Sequence, residues 1–259
     1  MNWAGYDNAK RHPAIGVASR FAMTNAIDLI LFDCDGVLVD SERISASCVA
    51  EALRDAGYPT DDASILERFM GMSNPAMCNI IEHEMGRPLP INFIGNLSQR
   101  IIEVSEVELQ PIAGVAEAVD QLDAPYCVAS SSHPNRVRRS LEIAGLIDRL
   151  GQYIFSASMV ERGKPAPDLF QYASDTMGAR PDRCVVVEDS EAGVRAGKAA
   201  GMFVLGFTGG SHVTSTFHGP KLAAAGADVV FSAMAELPDL LNRCVTERSR
   251  PNWLPSSAR

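Results

Sequence analysis

The chain has 259 residues, enough for one large core or two modest ones, and its composition of 46% hydrophobic and 21% charged residues is that of an ordinary globular protein. A net charge of −9 at pH 7 argues against a non-specific nucleic-acid binder, which needs an excess of Lys and Arg, so an anionic ligand must be captured by a few local cations. No stretch approaches the roughly 18 consecutive apolar residues of a membrane span, and no membrane partner is expected.

Residues 1–25 carry Lys10, Arg11 and Arg20 but lack the apolar centre of a secretory signal, and they read as a flexible extension. Met23, just before the first strand, is an alternative translation start. Ile27, Leu29, Ile30, Leu31 and Phe32 form an apolar run that stops at Asp33, as a strand buried on both faces does when it reaches a sheet edge. Asp33 and Asp35 are two residues apart and lean to one side, while Cys34 turns to the other. Such carboxylates repel unless a cation or a proton intervenes. Gly36 permits a sharp bend, and Asp40, Ser41 and Glu42 offer N-cap chemistry for a helix over 41–56. Helices are expected over 61–70, 74–85 and 90–108, with no strand among them. The block 41–110 therefore reads as a small helical bundle set apart from a sheet.

Beyond Pro111 the pattern alternates. A helix over 112–122, a strand over 126–130, a helix over 134–144 and a strand over 153–156 are followed by a helix over 167–177, a strand over 183–187, a helix over 191–200 and a strand over 202–207. This is the pattern of right-handed βαβ units, an α/β fold with a parallel, Rossmann-like sheet whose ligands bind beyond the carboxyl ends of the strands. Residues 26–40 plus 111–245 form the expected core domain and 246–259 a flexible tail. Six cysteines without CxxC spacing point away from a zinc site or a disulfide framework, and toward reduced thiols in a cytoplasm.

Three further stations lie at strand ends or helix starts. The strand Tyr126–Ala129 runs into Ser130, Ser131 and Ser132, whose hydroxyls and backbone amides can hold a phosphoryl oxygen, or simply form a turn and N-cap. Lys164 is held in a loop stiffened by Pro165 and Pro167, where it can offset pooled negative charge. Val185, Val186 and Val187 lead to Glu188 and Asp189. Together with Asp33 and Asp35 these make four acids, a set that suits oxygen-loving Mg²⁺ better than any soft metal. Asp189 or Ser190 can also cap the next helix.

The run Asp33, Asp35, Gly36, Val37, Leu38, Val39, Asp40, Ser41, Glu42 resembles the first motif of the haloacid dehalogenase superfamily. Ser130, the Gly163-Lys164-Pro165-Ala166-Pro167 loop with Phe170, and Glu188-Asp189 match the later motifs in order. The resemblance covers about residues 27–241 and is strongest to sugar-phosphate phosphatases. It implies a Mg²⁺-dependent phosphatase acting on a small phosphorylated metabolite, as a monomer or homodimer, with the 41–110 block as a cap. Asp33 would be the nucleophile and Asp35 the acid and base. Ser130, Ser131 and Lys164 would hold the phosphoryl group, and Ser41 and Asn74 would make further substrate contacts. Asp33, Asp35, Glu188 and Asp189 would hold the metal. A sugar phosphomutase is the alternative, but its hinge histidine and cap arginine are matched here by Ser45 and Asn74, with Arg68 as a conceivable substitute. A metal-free dehalogenase does not need Asp35, Glu188 or Asp189, and a phosphonatase needs a cap lysine that 41–110 lacks. An idle sensor of a phosphorylated metabolite would be expected to have lost one of these groups.

Overall fold

A computed structural model describes residues 27–213, 216 and 218–248. Six strands form one parallel sheet: β1 (Leu29–Phe32), β2 (Tyr126–Ser130), β3 (Ile154–Ser156), β4 (Cys184–Glu188), β5 (Phe203–Phe207) and β6 (Val229–Phe231). Their order is β3-β2-β1-β4-β5-β6. The chain moves outward from β1 in one direction and then in the other, so the order reverses beside β1, where an open α/β sheet binds its ligand. Phe32 is level with Val128 of β2 and Val187 of β4. That register brings Asp33, Ser130 and the Glu188-Asp189 pair to one edge.

The two-residue period of the strands divides the core. Ile30, Phe32, Val128, Val185 and Val187 pack into the cluster on one face, and Leu29, Leu31, Cys127, Ala129 and Val186 into the cluster on the other. With both faces covered, β1 and β4 must be apolar throughout until the chain leaves the sheet.

Helices α1 (Glu42–Asp55), α2 (Asp62–Phe69), α3 (Asn74–Met85) and α4 (Phe93–Glu108) follow β1 without an intervening strand. Leu53, Ile65, Ile81, Leu97 and Ile101 are buried within this block. The segments that enter and leave it run side by side: Val39 bridges Pro111, and the Asp40 amide donates to the Gln110 carbonyl at 2.9 Å. The remaining helices are α5 (Val115–Val119), α6 (Pro134–Ile143), α7 (Ile147–Leu150), α8 (Asp168–Met177), α9 (Glu191–Ala199), α10 (His218–Ala225) and α11 (Leu237–Arg248).

The structure departs from the sequence reading in four places. Ser41 precedes α1 but makes no side-chain cap, because its hydroxyl donates to Asp35 instead. The helix expected over 112–122 is only α5, since Gly114 takes a left-handed conformation at its start. Short α7 was not anticipated, and neither were α10, β6 and α11 beyond Phe207; three-residue β6 is too short to show a period. The expectations for residues 1–25 and Met23 lie outside the described residues. So does 249–259 of the expected tail, while α11 runs through 246–248. None of the six cysteines, all buried, is in a disulfide, and among the described residues no helix is long and apolar enough to cross a membrane.

Candidate active site

Four side chains from three loops converge at the carboxyl edge of β1 and β4. Lys164 donates to Asp33 Oδ1 at 2.7 Å, to Glu188 Oε1 at 2.5 Å and to the Ala129 carbonyl at 2.9 Å, so its three N–H groups have three acceptors. Its side chain is 1% exposed. Burial opposes this ammonium, but Asp33 and Glu188 outweigh burial and hold its pKa above the usual lysine value. Asp33 behaves in the opposite way. Burial pushes its carboxyl well above the ordinary range, Lys164 pulls it back, and Glu188, Asp189 and Asp35 push it up again. Asp189 is likewise raised, by burial first and Glu188 next. One lysine is too little positive charge for this cluster.

The remaining oxygens show where more cationic charge fits. Glu188 Oε2 accepts from the Ser190 amide at 3.0 Å and the Ser190 hydroxyl at 2.9 Å, so Glu188 is engaged on both sides. The Ser190 hydroxyl in turn accepts from the Gly193 amide and caps α9, so the capping and acid-cluster readings of this station hold together. Asp189 Oδ2 is buried without a hydrogen-bond partner, and oxygens of Asp33, Glu188 and Asp189 lie within 4.8 Å of one another. A set of hard oxygen donors with one orphaned carboxylate oxygen fits a Mg²⁺ ion. His212, 2% exposed at its side chain, brings Nε2 to 3.1 Å from that oxygen; burial lowers its pKa and favours the neutral ring.

Gly36 is needed beside this cluster. Its φ is +78°, and a Cβ there would lie 1.9 Å from Asp189 Oδ2. Gly36→Ala is therefore expected to destabilise the fold by more than about 1 kcal/mol and to displace Asp189. Thermal unfolding with and without Mg²⁺ measures both effects, the second as a smaller metal-induced rise in Tm.

Asp35 has a different environment. Its Oδ1 accepts from the Ser41 hydroxyl and from Arg136 at 3.1 Å, and its Oδ2 accepts from the Ser132 hydroxyl at 2.7 Å. Burial would raise its pKa, but Arg136, Ser41 and Ser132 together hold it below the ordinary value, so Asp35 is ionised at neutral pH. Two adjacent acids thus differ: Asp33 shares a lysine with other acids, while Asp35 has an arginine and two hydroxyls.

A cavity of about 590 Å³ opens above these residues, between the sheet edge and the α1–α4 block. Of the residues singled out in the sequence, Asp33, Asp35, Ser130, Ser131, Lys164 and Asn74 all line it. Ser130 Oγ accepts from the Ser132 amide at 3.0 Å, and Ser131 donates to the Gly71 carbonyl at 3.2 Å, tying the cavity floor to the loop before α3. Ser41 departs from expectation. It is 1% exposed and is not among the residues that line the cavity; its hydroxyl donates to Asp35.

Arg136 and His212 were not singled out in the sequence, and Ser132, read there as one of three serines at a strand end, proves to be bonded to Asp35. Arg136 lies in the first turn of α6, and helical side chains lean toward the amino terminus, which brings its guanidinium back to Asp35 and to Ser45 Oγ at 2.9 Å. An arginine one turn after a serine-rich strand end was the available signal. Glu42 was read as part of a helix cap; it is half-buried, and burial, then Asp189 and Asp35, push its pKa up to about 8.

An acid cluster and a buried lysine at the switch point of a Rossmann-like sheet, beneath a helical block, define an α/β enzyme acting on an anionic group. The profile of the haloacid dehalogenase-like hydrolases matches residues 27–201, and the chain belongs to that family. Within it the chain is a phosphomonoester hydrolase, a phosphatase. It is 28% identical to 6-phosphogluconate phosphatase of Escherichia coli K12, over 83% of this chain and 94% of that protein. A conserved haloacid dehalogenase-like protein of Agrobacterium tumefaciens C58 superposes with a TM-score of 0.73 at 39% identity, over 84% of this chain and 99% of that one. A family hydrolase of Deinococcus radiodurans R1, solved with bound phosphate and sodium, is 33% identical with a TM-score of 0.66, over 85% of this chain and 97% of that one.

Proposed function

We propose that this phosphatase hydrolyses the phosphomonoester of a small sugar or polyol, with Mg²⁺, through a phosphoryl group carried transiently on Asp33. The observation that carries this reading is the Asp33–Lys164–Glu188 network, with Asp189 beside it, at the floor of a cavity large enough for a small metabolite. The catalytic core would be 26–40 plus 111–245, and 41–110 the cap over it.

Asp33 is buried, so its carboxylate is poorly solvated; Lys164 offsets part of that cost, and Mg²⁺ would supply the rest of the positive charge that its ionised form needs. Asp33 attacks phosphorus, the bond to the leaving alcohol oxygen breaks, and the phosphoryl group becomes an acyl phosphate on Asp33. Ser130, the Ser131 amide and Lys164 would hold the phosphoryl oxygens as their charge shifts. The incoming anion raises the pKa of Asp35, which can then give a proton to the departing oxygen. Asp35 next takes a proton from water, whose oxygen attacks phosphorus, releasing phosphate and restoring the Asp33 carboxylate. Asp33, Asp189 and the Asp35 carbonyl would hold Mg²⁺, with Glu188 directly or through water, and the ion would screen the carboxylate from the phosphate.

The phosphomutase alternative needs a second anion site in the cap. Arg68, its remaining candidate, is paired with Glu84 and Tyr58 and is not among the residues that line the cavity. A reducing compartment such as the cytoplasm accords with the buried cysteines, and the chain would work alone or as a homodimer on a soluble metabolite.

Phosphate release from sugar and polyol phosphates is the test. Release with Mg²⁺ that stops with chelator supports the reading; isomerisation of a sugar phosphate primed by a bisphosphate, without release, would replace it by the mutase. The role of Asp35 gives a separate prediction. Arg136→Met removes the charge that lowers the Asp35 pKa, so the acid limb of the pH–kcat profile is expected to move to higher pH, because Asp35 must be ionised to accept the water proton. An unmoved limb would show that Asp35 is not the base.

A further inference from the structure

The cavity's charge distribution narrows the substrate beyond a sugar or polyol phosphate. Among the described residues that line it, the only lysine is Lys164 and the only arginine is Arg136. All three donors of Lys164 are taken by Asp33, Glu188 and the Ala129 carbonyl. Arg136 sits at the phosphoryl end, directed to Asp35 and Ser45. The wall supplied by α1–α4 and their loops contains no cation at all.

That wall has two kinds of surface. Ile65, Phe69 and Met77 give it buried apolar side chains, and Ser45, Asn74 and Ser98 give it neutral hydrogen-bonding groups. The acidic lining residue outside the catalytic cluster that brings a formal negative charge is Glu161, in the loop before Lys164, while Glu42 at the start of α1, its pKa pushed up to about 8, adds a carboxyl group and no cation. A second anionic group on a substrate would lose water, gain no cation from the wall and face Glu161. A neutral polyol or ring would present hydroxyls to Ser45, Asn74 and Ser98 and its carbon face to the apolar side.

We propose that the enzyme selects phosphomonoesters whose alcohol part is electrically neutral, and rejects both sugar-acid phosphates and bisphosphates, through a cation-free cap wall with Glu161 beside it. This rests on the phosphatase reading and parts from the substrate named for the 6-phosphogluconate phosphatase of Escherichia coli, which carries a carboxylate. Rejection here is built from missing partners and like charge, the usual way of discriminating between ligands of similar shape.

Two matched pairs test it with the full chain and Mg²⁺: sorbitol 6-phosphate against 6-phosphogluconate, which differ in one carboxylate, and glucose 6-phosphate against glucose 1,6-bisphosphate. In each pair kcat/KM is expected to be at least about tenfold higher for the singly phosphorylated, uncharged member, a difference of about 1.4 kcal/mol. Asn74→Arg, which places a cation on the wall, is expected to narrow both gaps by raising the charged member. Equal kcat/KM within the pairs, or preference for 6-phosphogluconate that Arg136→Met removes, would overturn the proposal. p-Nitrophenyl phosphate separates the two levels: its turnover with no discrimination in the pairs sinks only this inference, whereas silence toward it and toward all four esters sinks the phosphatase reading as well.

Discussion

Asp33→Asn is expected to lower kcat for phosphate release by more than about 10,000-fold while leaving the protein folded. The loss follows from the neutral amide, which is no nucleophile toward phosphorus. Folding should survive because Lys164 keeps Glu188 and the Ala129 carbonyl as acceptors, and because Asp33 is itself a strained resident, its carboxyl pushed up by burial and by three neighbouring acids. Replacing it by a neutral group of the same shape removes one charge from an acid-rich cluster. Near-wild-type Tm in the metal-free protein, with activity gone, is the predicted pair of results. A variant that unfolds would instead make Asp33 a structural residue.

Lys164→Met should have the opposite balance, with large losses in both stability and activity. Lys164 is the cation that holds Asp33 and Glu188 together in a nearly water-free setting, and removing one member of a buried pair costs about 3–5 kcal/mol because the remaining charges are left unpaired. The loss depends on pH with a definite sign. Asp33 and Asp189 already have folded-state pKa values above their ordinary ones, so the folded state binds more protons than the unfolded chain. The contribution of these two acids to stability is therefore fully present below their unfolded-state values and is lost as pH rises through their folded-state values. The variant should show a steeper fall, since its acids have lost their counter-charge, and Mg²⁺ should recover much of the lost Tm. Unfolding curves between acid and mildly alkaline pH, with and without Mg²⁺, decide it. A variant as stable as the parent at high pH without metal would show that Lys164 is not what neutralises the cluster.

Much of this site was legible because it lies at the ends of fully buried strands. Leu29–Phe32 and Cys184–Val187 are apolar on both faces, so the acids that follow them mark the sheet edge, and parallel register does the rest by setting Phe32 level with Val128 and Val187. Lys164 was legible through the prolines around it. What escaped depends on contacts between distant parts of the chain. Arg136 reaches Asp35 across 101 positions and Ser132 across 97, and their place just after a serine-rich strand end hints at the site without naming the carboxylate they meet. Ser41 shows the same limit from the other side. Its position before α1 was read correctly, but a buried carboxylate competes for its hydroxyl and wins over the helix end, since a charge-assisted hydrogen bond is stronger than a neutral cap. His212 follows β5 in a loop without periodic pattern, and β6 is too short to carry one.

In the proposed reaction Asp33 carries the phosphoryl group during turnover. The most direct measurement is rapid acid quenching of the enzyme during steady-state hydrolysis of p-nitrophenyl phosphate with Mg²⁺, followed by mass spectrometry of the peptide that contains Asp33. The expected result is an added phosphoryl group on Asp33, lost on mild alkaline treatment and absent in Asp33→Asn. Steady phosphate release with an unmodified Asp33 peptide, or unchanged release by Asp33→Asn, would contradict it.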